Sequence, residues 1–126
     1  MINKSLFFIF FIFFGCNSTK KSIESTFSKD ANICNMNISF RSIGAGIDRK
    51  SYKSFLSFLE KFENDEKLKL TYEQIFWGRE GEMDYCFHYS NLTDNQIIKF
   101  EKEIKELFIE SKSVYYSKET EKRKGR

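Results

Sequence analysis

The spacing of apolar residues changes period repeatedly along this chain, and the order of those periods limits the possible folds more than any other feature. Met36, Ile38 and Phe40 alternate with polar residues, so residues 36–43 read as a strand with one apolar face. Tyr52, Phe55, Leu56, Leu59 and Phe62 then recur at helical spacing, behind Asp48 or Ser51 as a cap, and this helix is expected to fray at Asn64-Asp65. Alternation returns at Leu68, Leu70 and Tyr72 and blurs at Ile75-Phe76-Trp77, which suggests a bulge. The turn Gly78-Arg79-Glu80-Gly81-Glu82 leads into a third alternating run, with Met83, Tyr85, Phe87 and Tyr89 on one face.

Thr93-Asp94-Asn95-Gln96 has the pattern of a capping box, with Leu92 and Ile97 placed as its hydrophobic staple. Ile97, Phe100, Ile104, Leu107 and Phe108 form the apolar stripe of the helix that it opens. Val114-Tyr115-Tyr116 is a short last strand, and the almost wholly charged residues 118–126 read as a disordered tail.

Strand, helix, strand, strand, helix, strand is the split βαβ order of an α+β, ferredoxin-like βαββαβ domain. Right-handed crossovers place the third strand antiparallel between the first and second, with the fourth outside the first. Both helices then cover one face of a four-stranded antiparallel sheet, over residues 34–117. The open face is expected to carry Ser39, Arg41, Thr71, Glu73, Asp84, Cys86, His88 and Tyr115.

The N-terminus has a different logic. Lys4 precedes nine unbroken apolar residues, Leu6 to Phe14, then Gly15, Cys16 and the polar run from Asn17. That is the pattern of a secretory signal. The apolar run is too short for a lasting span, which takes roughly 20 helical residues. Phe13-Phe14-Gly15-Cys16 resembles a lipobox, although Phe stands where Leu, Ala or Ser is usual; the competing reading is an ordinary signal with a chance cysteine. The resemblance implies cleavage after residue 15 and a diacylglycerol on the Cys16 thiol, commonly with a further acyl chain such as palmitate on the amino group. Two or more chains anchor stably where one does not. Asn17 is not acidic, so the outer membrane rather than the inner is expected. Residues 16–33, rich in Ser, Thr and Lys, read as the tether.

The net charge of +3 drops to +2 once Lys4 leaves, too balanced for a nucleic-acid partner. Cys34 and Cys86 remain beside Cys16. An exported chain meets oxidising conditions, which favours a disulfide. Strand parity opposes it, since Cys34 shares the phase of Met36 and Ile38 and Cys86 the opposite one; the bond survives only if Cys34 precedes the regular strand. One histidine, His88, and no Cys-x-x-Cys offer no metal site, and no cofactor is expected.

The topology brings the loop after the first strand next to the turn between the second and third. Gly44, Gly46 and Asp48 supply backbone amides near a helix start, where an anion could bind. Trp77, Arg79, Glu80 and Glu82 supply an aromatic plate, a guanidinium and two carboxylates, the kind of set that anchors partners. The plainer reading is that the glycines permit turns, Trp77 closes the core edge and Arg79 pairs with Glu80 or Glu82. No catalytic set emerges: Glu80 and Glu82 sit on a solvated turn, and His88 and Asp84 lie too far apart along one strand to touch. Ser-Ile-Gly-Ala-Gly-Ile-Asp together with Trp-Gly-Arg-Glu-Gly-Glu-Met-Asp-Tyr-Cys resembles a group of small uncharacterised lipoproteins of Bacteroidota. The resemblance implies an envelope lipoprotein and adds weight to the two loops as a surface, without an activity. The expected function is a non-enzymatic binding or interaction module, lipid-anchored at the periplasmic face of the outer membrane, with an envelope protein as partner. The alternative is an inhibitor or immunity-type lipoprotein that plugs an envelope hydrolase or toxin with the acidic turn.

Overall fold

A computed structural model describes residues 32–126. The signal, Cys16 and the tether up to residue 31 lie outside the described residues. Six elements follow in order: β1 (Ile33–Phe40), α1 (Arg49–Glu66), β2 (Thr71–Phe76), β3 (Met83–His88), α2 (Asp94–Leu107) and β4 (Val114–Glu121). The sheet order is β2-β3-β1-β4, and every pairing is antiparallel. This is the ferredoxin-like α+β arrangement that the order of periods predicts.

Local chemistry accounts for the helices. Asp48 caps α1, its carboxylate accepting from the amides of Lys50 at 2.9 Å and Ser51 at 3.2 Å. The capping box of α2 closes in both directions, Gln96 N to Thr93 Oγ1 at 3.4 Å and Thr93 N to Gln96 Oε1 at 3.0 Å. The last turn of α1 does not fray at Asn64-Asp65, because the Glu66 carboxylate is held by Lys99 Nζ at 2.6 Å and Gln96 Nε2 at 3.3 Å, both on α2.

Met36, Ile38 and Phe40 of β1 and Met83, Tyr85 and Phe87 of β3 meet Phe55, Leu59 and Phe62 of α1 and Phe100 and Ile104 of α2 in one core. Leu56 is 40 % exposed rather than buried as the helical spacing suggests. Phe58 packs in its place, its ring 5.7 Å from Phe100 and 5.8 Å from Phe62. The stripe of α1 is thus rotated toward α2, where an aromatic partner waits.

Three expectations are corrected. Residues 71–76 pair one-to-one with β3, from Thr71↔His88 to Phe76↔Met83, so there is no bulge. The alternation blurs because the second face of the sheet is also apolar locally: Ile75 is buried there with Cys34 and Cys86. Residues 118–126 are not a disordered tail. β4 continues through Glu121, paired as far as Ile33↔Glu121, because its polar side chains find partners, as Lys118 does with Glu101 on α2. The tether boundary also moves, since Ile33 already belongs to β1.

Beyond β4 the chain crosses the face expected to be open. The Lys122 amide donates to the Asn32 carbonyl at 2.7 Å, and the Arg126 amide reaches the Phe76 carbonyl, on the far side of the sheet, at 3.2 Å. Residues 122–126 form a strap over the face opposite the helices.

Candidate functional site

The two loops named from sequence do meet. Ser42 Oγ donates to the Glu80 carboxylate, and Gly46 lies against the Glu80 carbonyl. The glycines work as the plainer reading has it: Gly44 and Gly46 both take positive φ, +106° and +85°. Their amides point inward to Ser42 Oγ, at 3.0 Å and 3.1 Å. The start of α1 is occupied by its own Asp48, whose carboxyl is held below its usual range by the Ser51 hydroxyl and amide. The amides of Gly44, Gly46, Lys50 and Ser51, part of the expected anion site, are therefore taken up by Ser42 and Asp48.

The turn after β2 is closed by Trp77 N and Gly78 N donating to the Glu82 carbonyl, at 3.1 Å and 3.4 Å. The Glu82 carboxylate accepts from the Glu80 amide at 3.1 Å. Each of the two acidic side chains thus has one oxygen engaged within the domain. Arg79 is exposed and makes no hydrogen bond or ion pair among the described residues. It does not pair with Glu80 or Glu82.

Trp77 belongs to a different site. It shares the phase of Glu73 and Ile75, so its indole lies on the strapped face and not at the loop tip. There Asp84 is buried, only 1 % exposed. Ser39, its direct neighbour across β1 and β3, donates to Oδ1 at 2.7 Å, and Trp77 Nε1 donates to the same oxygen at 2.8 Å. Asn37 Nδ2 and Arg123 Nε donate to Oδ2 at 3.3 Å and 3.0 Å. The Arg123 guanidinium lies 4.3 Å over the Trp77 ring. Burial works to raise the Asp84 carboxyl, but the donors from Ser39, Trp77, Arg123 and Asn37 outweigh it and hold the group below its ordinary value.

Beside this pair, Lys122 Nζ contacts both Glu73 oxygens, at 3.1 Å and 2.9 Å, and holds that carboxyl below its usual range. His88 Nε2 faces Glu73 at 3.6 Å rather than Asp84. At the other side of the face the Arg41 guanidinium lies 4.4 Å over Tyr115. Cys34 and Cys86 are joined in a disulfide with Cα atoms 5.1 Å apart. The objection from parity fails because the phase of Met36 does not carry back to Cys34: the β1–β3 ladder begins only at Met36↔Phe87, and the β1–β4 pairing skips Asn35, beside Glu119 with its φ of +48°.

Sequence reasoning placed Ser39, Glu73, Asp84 and His88 on this face but missed Arg123, Lys122 and Asn37. The phase of Trp77, two residues beyond Ile75, was the available signal for the indole. Among the described residues no group of three or more His, Cys, Asp or Glu side chains is placed to hold a metal ion. No helix among them is long and apolar enough to cross a membrane. No protein-family model, curated protein or solved structure matches this chain.

Proposed function

We propose that this chain is a lipid-anchored envelope protein acting as a non-enzymatic binding module, held at the periplasmic face of the outer membrane and engaging an envelope protein. Arg79 carries the binding reading: it is exposed on a turn whose two carboxylates are already engaged, so its guanidinium is left for an external acceptor. The Cys34–Cys86 disulfide supports the compartment, since such bonds persist in oxidising surroundings. The signal-like start, Gly15-Cys16 and the resemblance to small Bacteroidota lipoproteins support the anchor.

Two measurements test this reading. Cells fed a fatty-acid analogue should label the chain, and Cys16→Ser should abolish label and release the chain from the membrane fraction. Membrane retention without label would remove the anchor. In affinity capture from envelope extract, Arg79→Ala should weaken the partner by about 1–3 kcal/mol, the usual cost of losing a charged anchor. Capture unchanged by Arg79→Ala would remove the loop surface.

A further inference from the structure

The strapped face has the construction of a receptor with its ligand in place. Asp84 is fixed from below by Ser39, Asn37 and Trp77, all donors that belong to the sheet or its turn. Arg123 comes from above, on the segment 122–126 that follows β4. It uses both things a guanidinium can do: it lies flat over an indole and donates an N–H to a carboxylate oxygen. An ammonium could do only part of this.

The strap is held chiefly at one point. Its backbone is tied by one hydrogen bond at each end. The Lys122–Glu73 pair is half exposed and contributes little. The main hold is Arg123 on the buried Asp84 carboxylate, with the guanidinium itself still 42 % exposed. Gly125 lies against Ile75 without a side chain of its own. Were the strap to lift, Asp84 would keep its three neutral donors and lose the one cation that meets it among the described residues, while Trp77 would lose the group stacked on it. The bared surface would be a carboxylate beside an aromatic plate, with Glu73 as a second acid close by.

We propose that the Trp77–Asp84 pair is a binding site for an arginine side chain within a basic peptide segment of a partner, and that residues 122–126 are its built-in competitor. Arg123 fills the arginine position and Lys122 the cation position at Glu73. This site is separate from the Arg79 turn and rests on nothing assumed about compartment or anchor.

The chain holds a single tryptophan, so the emission of Trp77 reports directly on the site. The probe is the acetylated peptide Lys-Arg-Lys-Gly-Arg, titrated into the full chain and into the full chain carrying Arg123→Ala. The substituted chain should bind saturably, with a change in Trp77 emission, at least tenfold tighter than the unsubstituted one. The same peptide with lysine for both arginines should bind Arg123→Ala at least tenfold more weakly. Adding Asp84→Asn should abolish binding; should that variant not fold, Glu73→Gln, at a half-exposed position, should still weaken it severalfold. No saturable response in Arg123→Ala would overturn the proposal. Equal affinity for both proteins would show that the strap is not a competitor, and equal binding of the lysine peptide would show that no guanidinium is read; either sinks it.

Discussion

The Trp77 indole donates to the Asp84 carboxylate at 2.8 Å across the first step of the β2–β3 hairpin. The bond draws the ring down onto the sheet and away from the loop tip, where an exposed tryptophan would serve as an anchor. Trp77 and Arg79, two residues apart, therefore serve different surfaces.

Loss of the Asp84 carboxylate should destabilise the domain severely. Asp84→Ala strands the buried Ser39 hydroxyl and the Trp77 N–H without an acceptor, at roughly 1–3 kcal/mol for each such group. We expect a total loss of about 2–5 kcal/mol in urea unfolding. A loss under about 1 kcal/mol would mean that the network is dispensable.

The same carboxylate sets an acid limit. Its folded value is depressed, so its stabilisation is present above the unfolded value of about 3.9 and is lost as the pH falls through the folded value. The stability difference between the unsubstituted chain and Asp84→Asn should thus be largest near pH 6 and shrink below about pH 4. A constant difference down to pH 3 would contradict the assignment.

The alkaline limit comes from the core. Tyr85 is pushed above its ordinary value by burial and by its hydroxyl contact with Tyr52, and Tyr89 by burial and the charge of Glu101. Both groups are raised in the fold, so their contribution is full below the unfolded value of about 10 and is lost as the pH climbs beyond it. Unfolding monitored from pH 9 to 11 should show falling stability, less steep in Tyr89→Phe. An identical slope in that variant would remove Tyr89 as a cause.

The disulfide closes a loop with a sequence separation of 52, for which the chain-entropy account gives about 4 kcal/mol. Reductant should lower the unfolding midpoint accordingly, and a thiol assay on the denatured, unreduced chain should find neither Cys34 nor Cys86 free. Two reactive thiols at those positions would show that the bond does not form.

Paired melts separate core from surface. Phe100→Ala, at a fully buried ring, should cost about 3–5 kcal/mol, whereas Arg79→Ala should stay within about 0.5 kcal/mol. An Arg79→Ala variant that unfolds would make Arg79 structural.

The fold could be read from the chain because its signals are local. Asp48 and Thr93 satisfy amides within three residues, and Met36, Ile38, Met83 and Tyr85 declare their shared face by alternation alone. The site could not, because it is assembled at long range. Arg123 and Asp84 are 39 residues apart and Ser39 and Asp84 are 45 apart. A run of charge looks the same whether it is solvated or has found carboxylates. Parity misled at Cys34 because it holds only within a continuous ladder, and the β1–β3 ladder starts two residues later.

The position of the disulfide also decides how the domain meets a mechanical load. Tension drawn along the chain from residue 32 reaches a covalent link at Cys34, after one residue of β1. The Asn32–Lys122 hydrogen bond and the Ile33–Glu121 pair are loaded before that link, and from Cys34 onward the load is shared with β3, the strand flanked by both β1 and β2. A domain moored at its N-terminal side would thus give first where β4 runs into the strap, while the ladder beyond Cys34 is shielded by a covalent bond.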